Sequence, residues 1–370
     1  MTVTTGSADA LTLGLAENQQ ARRGKRNRRA DGGLGGRARP GEKLWGWIFM
    51  SPVVVMMIVF LIVPILLALY VSFTKWNGQG GPFSEQAERV GLENYRDLLV
   101  NDGLTRDNFV SAVRNNLYFV LLVVPIQTVL ALFLALILNQ KRLGGKSFFR
   151  TAFYMPSVSS AIAIGFIFIF LFQRNGAINQ ILSVFGAGDR QWFNNSDGTF
   201  HALAGMVGID ESPEFLSDHG FLGMDWWDWL SGPSWSMVII ITLVIWTTSG
   251  TFMLMLLSGL QSVPEEVHEA AAIDGAGRWQ TLRYVTLPLL KKHVVLVVTL
   301  GLIGTWQVFD QLFIMTDGAG ETVTPAYLSY TTGFREGLFG RASALAFIVF
   351  VIILAFTAFQ RIVTRDKEST

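Results

Sequence analysis

The chain has 370 residues, 51% hydrophobic and 15% charged, with a formal net charge of +1 and a mean hydropathy of +0.40. So apolar a composition excludes an ordinary soluble domain of this size and makes a lipid bilayer the expected solvent. With no cysteine, disulfides and thiolate metal sites are excluded and the redox compartment is left undetermined.

Residues 1–43 carry nine Lys or Arg (22, 23, 25, 26, 28, 29, 37, 39 and 43) against four acids, with abundant Gly and few apolar side chains. Such a segment cannot bury a core, so a disordered basic tail is expected, setting orientation and, as a second reading, touching anionic headgroups. Ile48–Val71 is then the first of six apolar runs able to cross a hydrocarbon core, which is about 30 Å thick and takes about 20 helical residues. It is too long for the apolar region of a cleaved signal peptide and lacks a small-x-small exit, so it is read as a retained span. The others are Asn116–Leu138, Thr151–Phe172, Ser236–Leu260, Val294–Met315 and Ala342–Phe359. Prolines 52, 64, 125 and 156 lie inside these runs and are expected to kink them, because packed neighbours can satisfy freed backbone groups.

Lys and Arg in short flanking segments stay cytoplasmic. After the second run, Lys141, Arg142, Lys146 and Arg150 occur with no acid, so this segment is placed inside. Its Gly-Gly-Lys-Ser does not complete a phosphate-binding loop: Gln140 stands where the pattern needs glycine, and no strand precedes it. Residues 173–235 hold Arg174 and Arg190 among eight acids and are placed outside. There Asp225-Trp-Trp-Asp-Trp229 offers rings suited to a membrane interface, and a contact surface for an external partner is the equal alternative.

In the fourth run, Trp246-Thr-Thr-Ser-Gly-Thr251 gathers one ring and several small polar residues, as a sugar or a neighbouring helix would require. In the fifth, Gly301, Gly304, Thr305 and Val308 fall at i, i+3, i+4 and i+7 and so share one recessed face. That face serves either close helix packing or a pocket. Thr305, Trp306, Gln307 and Gln311 add polarity, so this helix is expected to border an aqueous path. Asp310 is the only charged side chain in the six runs. At a span centre it would cost about 2.5–3.5 kcal/mol; near the outer end, water access explains it as well as a functional role does.

Between the fourth and fifth runs, Ser262-Val-Pro-Glu265 reads as a capping box that starts a helix. Val263, Val267, Ala270 and Ala271 give that helix a mild apolar face, and Gly275 and Gly277 end it. A second helix, with Trp279, Leu282 and Val285 or Thr286 on one face, is expected to end at Pro288. The pair should lie on the cytoplasmic surface. Glu269 and Asp274 sit in the C-terminal half of the first helix, where exposed acids are disfavoured by roughly 0.3–1 kcal/mol. Asp274 can cap the next turn. Glu269 has no such local compensation, which leaves solvation or a basic group on a partner. Two membrane anchors and a balanced charge exclude a DNA-reading role, so no nucleic acid is expected. Histidines 201, 219, 268 and 293 form no i, i+4 pair and flank no nucleophile, so neither a metal nor a catalytic residue is expected.

Glu269-Ala270-Ala271, Gly275 and Val285-Thr286-Leu287-Pro288 resemble the signature of the membrane subunits of bacterial ABC importers: Glu-Ala-Ala, three residues, Gly, nine residues, Ile-x-Leu-Pro, with Val285 in place of Ile. The longer string PEEVHEAAAIDGAGRWQTLRYVTLPLL, Trp76-Asn77 and the MTDGAG run at 315–320 look like the carbohydrate branch, which includes the maltose-type permease subunits. The resemblance covers about 44–362. It implies an all-α membrane protein of the ABC importer type I permease fold, with six transmembrane helices and a cytoplasmic coupling-helix pair between the fourth and fifth. Under it, the permease domain occupies 44–362, with an extracytoplasmic loop at 173–235 and a coupling loop at 262–290. Tails at 1–43 and 363–370 place both termini in the cytoplasm of a bacterial cell. Implied partners are a second permease subunit, two cytosolic ATPase subunits that hold ATP and Mg, and an extracytoplasmic substrate-binding protein. No cofactor on this chain is implied.

By the same resemblance, Glu269, Ala270, Ala271, Asp274, Gly275, Leu287 and Pro288 couple to the ATPase, with Glu269 meeting a basic residue there. Thr247, Thr248, Thr251, Gly301, Gly304, Thr305 and Val308 match substrate-lining positions. The maltose-type subunit has a tyrosine and asparagines where this chain has threonines, glycine and valine, so the resemblance does not carry over maltose as the substrate, nor how much of the site this subunit supplies. Alternatives are an importer of a polyol or glycerol phosphate, or a self-sufficient secondary transporter. The last would need ion-coupling carboxylates or an inverted repeat, and the sequence offers only Asp310 and no clear repeat.

Overall fold

The computed structural model describes residues 40–140, 142–186, 190–209 and 212–364. The tail expected over 1–43 lies outside them apart from 40–43, and the C-terminal tail lies outside them from 365 onward. The chain divides into two compact units after Leu66. In the first, α1 (Pro40–Met57) passes through a π-helical segment, Ile58–Ile62, into α2 (Val63–Val71), whose end belongs to the second unit. Pro64 accounts for the π segment. It lacks an N–H and crowds the carbonyl four residues back, and i→i−5 bonding, Val63 N–H to Ile58 O, makes room. No side chain from Trp45 to Leu66 is buried, as suits an apolar helix facing lipid.

The second unit runs through α3 (Glu93–Leu99), α4 (Leu104–Asn139), α5 (Lys146–Val158), α6 (Ala161–Phe172) and α7 (Ala177–Val184). Two short helices, α8 (Thr199–Met206) and α9 (Glu214–Ser217), a hairpin of β1 (Gly220–Phe221) and β2 (Met224–Asp225), and α10 (Trp226–Trp229) follow. Next come α11 (Trp235–Gln261), α12 (Glu265–Ile273), α13 (Arg278–Thr281) and α14 (Leu287–Trp306). The unit closes with α15 (Asp310–Met315), α16 (Pro325–Tyr330) and α17 (Phe339–Thr364).

Among the described residues, six helical stretches are long and apolar enough to cross a membrane: Trp45–Val71, Leu104–Asn139, Ala161–Val184, Trp235–Gln261, Arg278–Trp306 and Phe339–Thr364. Each expected run has its counterpart, but two are divided. The run expected over Thr151–Phe172 stops at Val158 and resumes at Ala161, because Ser159 and Ser160 are both extended. Pro156 precedes the break by one turn. The run expected over Val294–Met315 stops at Trp306 and resumes at Asp310. Asp310 is therefore the first residue of a separate short helix. Pro125 interrupts nothing within α4.

α11 is the central helix: 56% of its apolar window is buried, against 39% for α4 and 22% for α14 and α17. One core cluster joins Phe119 and Val123 of α4 to Ile164 and Phe168 of α6, the Met237–Val244 stretch of α11, and Leu312 and Met315 of α15. A second joins Ala131, Ala135 and Leu138 of α4 to Phe252–Leu260 of α11 and to Leu290 and Val297 of α14. Val120, Val124, Trp306 and Val349 tie α4 to α14 and α17. Close approach at Gly250 brings α11 onto α5: an added Cβ would overlap Phe153 O and lie 2.7 Å from Ser157 Oγ.

The described part of 173–235 is folded onto the ends of α4 and α11. Trp192 is buried in the first cluster and donates to Asn179 Oδ1 at 2.8 Å, while the Arg190 guanidinium lies 4.6 Å from the Trp235 ring centroid. Gly198 bridges to Ser234, and Tyr118 OH bonds Trp229 O. Asp225 caps α10 by accepting from Asp228 N–H at 2.7 Å. Of the three rings expected at a membrane interface, only Trp226 is exposed. Trp227 stacks on His201 at 4.3 Å, and Trp229 Nε1 donates to Phe221 O.

Candidate functional site

Two adjoining cavities lie in the second unit. One, of about 350 Å³, opens between α4, α11, α14 and the break before α15. Its polar lining is Gln127, Thr248, Thr305, Gln307, Asp310 and Gln311, and Val244, Phe252, Leu300, Val308 and Phe309 form its apolar walls. The other, of about 300 Å³, lies between α11 and the break separating α5 from α6, and is lined by Ser157, Ser159, Thr247 and Thr251 among others. Thr248, Phe252 and Gln311 line both. A few placed polar groups on apolar walls, at this volume, are the ordinary makeup of a small-molecule site.

The structure brings Thr247, Thr248, Thr251, Gly301, Gly304, Thr305 and Val308 to these two cavities. The helical-face argument holds for Gly301, Gly304 and Thr305. Val308 lies past the end of α14 and reaches the same cavity through the break. Thr247 and Thr305 hydroxyls donate to carbonyls of their own helices, at 3.0 Å to Leu243 O and 2.8 Å to Leu302 O. Their protons are thus occupied and their lone pairs remain as acceptors. Trp246 is not at the cavity: its ring packs on Phe168, centroids 5.9 Å apart. Ser249 bonds Ile245 O, and Gly250 serves the α5 contact.

Gln127 was not singled out from the sequence. It is 1% exposed, within 2.6 Å of Thr248 Oγ1, and its Nε2 has no hydrogen-bond partner. The available signal was an amide at the centre of the apolar run 116–138, since polar side chains inside a membrane are costly and tend to be functional.

The residues expected to couple lie elsewhere. Glu269, Ala270 and Ala271 are on α12, and only Ala271 of the three is buried. No capping box starts that helix: Pro264 is the N-cap, and Ser262 Oγ donates to Gly259 O, closing α11 behind it. The C-terminus ends as expected. Asp274 N–H bonds Ala270 O, Gly275 adopts φ +78°, and Gly275 and Ala276 N–H return to Ala272 O and Ala271 O at 3.1 and 2.9 Å, a Schellman arrangement.

α13 does not end at Pro288. It passes through a π segment, Leu282–Thr286, into α14, with Leu287 and Pro288 in the first turn of α14. A proline in a first turn loses no intrahelical bond when the preceding carbonyls bond i→i−5, as Leu287 N–H to Leu282 O does. Ile273, Trp279 and Tyr284 of this helix pair are 86%, 68% and 71% exposed, and Glu269 has no ionic partner among the described residues.

At the bundle end that carries 173–235, the MTDGAG run and the Glu321 that follows it form a tight turn in which Asp317, Gly318, Gly320 and Glu321 all have positive φ. Arg114, buried on α4, pairs with Glu321 at 2.8 Å, and Asp317 accepts from Arg335 and from Tyr327 OH at 2.5 and 2.7 Å. The Arg335 guanidinium, then the Tyr327 hydroxyl, hold the Asp317 carboxyl below the usual carboxylate range. Burial, then Asp317, push Tyr327 up to about 12. A carboxyl lowered on folding stabilises above its ordinary 3.8 and loses that as pH falls through the lowered value. A phenol raised on folding begins to destabilise above its ordinary 10.0. The turn is therefore expected to be tightest between about pH 4 and pH 10. Amide hydrogen exchange at 316–322, corrected for intrinsic rates, should show an acid limb that Asp317→Asn flattens; an unchanged limb would contradict the assignment.

A bundle of membrane-length helices around polar cavities, with an exposed helix pair continuous with one cavity wall, defines the class: a polytopic helical membrane protein with an internal polar site. The chain belongs to the family of binding-protein-dependent transport system inner membrane components, matching it over residues 127–369. It is similar to the lactose transport system permease protein LacF of Rhizobium radiobacter, at 28% identity over 87% of this chain and 95% of that one. It is also similar to the multiple sugar-binding transport system permease protein MsmF of Streptococcus mutans, at 30% identity over 84% of this chain and 92% of that one. A solved bacterial ABC transporter involved in import of the acidic polysaccharide alginate shares the fold, with a TM-score of 0.66, 20% identity, and coverage of 89% of this chain and 100% of that one.

Proposed function

We propose that the chain is a permease subunit of an ATP-driven importer of a sugar or oligosaccharide. In this reading it works with a second permease subunit, two cytosolic ATPase subunits that hold ATP and Mg, and an extracytoplasmic binding protein. Both termini and the α12–α13 end face the cytoplasm, in keeping with the basic residues of 140–150 and 278–292. The substrate path runs through the two cavities.

One observation carries the mechanism. Helical backbone is continuous from Arg278 to Trp306, so the same rod begins in the exposed helix pair and ends in Gly301, Gly304 and Thr305 of the cavity wall. An ATPase that grips α12 and α13 and closes on ATP would move that wall directly, alternating access to the cavity. Glu269 would meet a basic group of the ATPase, and Ala270, Ala271, Asp274, Gly275, Leu287 and Pro288 would hold the geometry of the grip. Thr247, Thr248, Thr251, Gly301, Gly304, Thr305 and Val308 would line the path. The names of the relatives, lactose and multiple-sugar permeases, support a saccharide as cargo.

The test is co-purification of the ATPase and binding protein with this chain from the membrane, followed by ATP hydrolysis with a panel of sugars. Sugar-stimulated hydrolysis in the complex is expected. Failure of any ATPase to co-purify would sink the reading.

A further inference from the structure

We propose that the cavity between α4, α11 and α14 selects an uncharged saccharide, with Gln127 reading a sugar hydroxyl and Asp310 turning away sugars that carry a carboxylate. This rests on the reading of that cavity as the substrate path. Gln127 lies near the middle of a membrane-length helix, lines the cavity, and leaves Nε2 without a partner among the described residues while almost fully buried. Gly301 is what gives that amide its room, since a Cβ there would overlap Nε2.

The other end of the carboxamide decides which ligand fits. Thr248 Oγ1 lies 2.6 Å from Gln127 Oε1 and 2.7 Å from Val244 O, and its one proton serves only one of them. If Thr248 donates to Gln127, the amide NH₂ faces Gly301. If Thr248 donates to Val244, the carboxamide turns over, donates to Thr248, and presents its carbonyl to Gly301 instead. Either way one polar atom of Gln127 is left over. A hydroxyl both donates and accepts, so a sugar satisfies both states; a carboxylate only accepts and satisfies one.

Charge points the same way. Among the described residues, the two cavities are lined by one charged side chain, Asp310, and by no Lys, Arg or His. A lone carboxylate accepts hydrogen bonds from sugar hydroxyls. It repels a uronate that enters between the cavity's apolar walls. Phe252 and Phe309 supply those walls, suited to the C–H faces of a pyranose ring.

Because the chain has no cysteine, Gly304→Cys gives this subunit a single thiol in the cavity, at a position where a Cβ meets nothing within 4 Å. The rate of alkylation of that thiol is measured in the purified, detergent-solubilised importer, with maltotriose or trigalacturonate as competitor. Maltotriose is expected to protect and trigalacturonate not to. In the Gly304→Cys background, Gln127→Met should raise the half-protecting maltotriose concentration by about tenfold. Asp310→Asn, at an exposed position, should make trigalacturonate protective. Gel filtration of each complex checks assembly. Equal protection by both sugars, or no effect of either substitution in an assembled complex, overturns this proposal and leaves the substrate path standing. Protection by neither sugar overturns the path reading itself.

Discussion

Glu269→Lys is expected to abolish sugar uptake while the protein inserts in the membrane at its normal level. Glu269 is exposed at the midpoint of α12 and has no ionic partner among the described residues, so no intramolecular bond is lost. At the midpoint of the helix the dipole favours neither sign strongly, and lysine is a good helix former, so α12 itself should be unharmed. A loss of transport must then come from contact with another protein. Gly275→Trp should give the same phenotype by a different route. Space is not its difficulty, since a Cβ at Gly275 meets nothing within 4 Å; φ is +78°, which costs a side-chain-bearing residue about 1–2 kcal/mol. The Schellman closure of α12 would open and the helix pair would lose its angle. Immunoblotting of membranes, ATPase co-purification and uptake separate these outcomes, and normal uptake in both variants would remove the basis for coupling through this loop.

A large effect on stability is expected at Gly250. An added Cβ meets Phe153 O, Ser157 Oγ and Tyr154 Cα, two of them main-chain atoms of α5 that cannot rotate away. Gly250→Leu must therefore part α5 from α11, the central helix, at a cost on the order of 3 kcal/mol. Gly81→Leu is the control, because Gly81 has open space around its Cβ position and no positive φ. The apparent unfolding temperature of the purified protein in detergent should fall sharply for Gly250→Leu and stay put for Gly81→Leu. Similar melting of wild type and Gly250→Leu would mean that the two helices do not meet closely at this point.

Both predictions concern residues that the sequence made visible to different degrees. Glu269 stood out because the helix expected from the sequence, with Gly275 as its C-terminal signal, places an acid in its second half, which is a local property. Gly250 was noticed only as part of a polar cluster beside Trp246. That cluster divides in three dimensions, with the ring on Phe168, Gly250 against α5 and Thr247, Thr248 and Thr251 at the cavities. Gln127 was passed over because one amide among apolar residues has no periodicity to betray it. Its meaning comes from Gly301 and Thr248, more than a hundred residues away.

The sequence alone determined the number of membrane-length helices, the position of the polar helix pair between the fourth and fifth, and the end of α12. Apolar run length, charge and backbone conformational preference are properties of neighbouring residues, and such properties survive without tertiary context. Tertiary structure alone decided where the runs break, that Pro288 continues a rod where a proline would ordinarily end a helix, and that Asp310 reaches the same cavity as Gly301. A break at Ser159–Ser160 or at 307–309 is tolerable in an apolar environment only when other helices and cavity-facing groups surround the freed backbone, and no local pattern records where those helices will be.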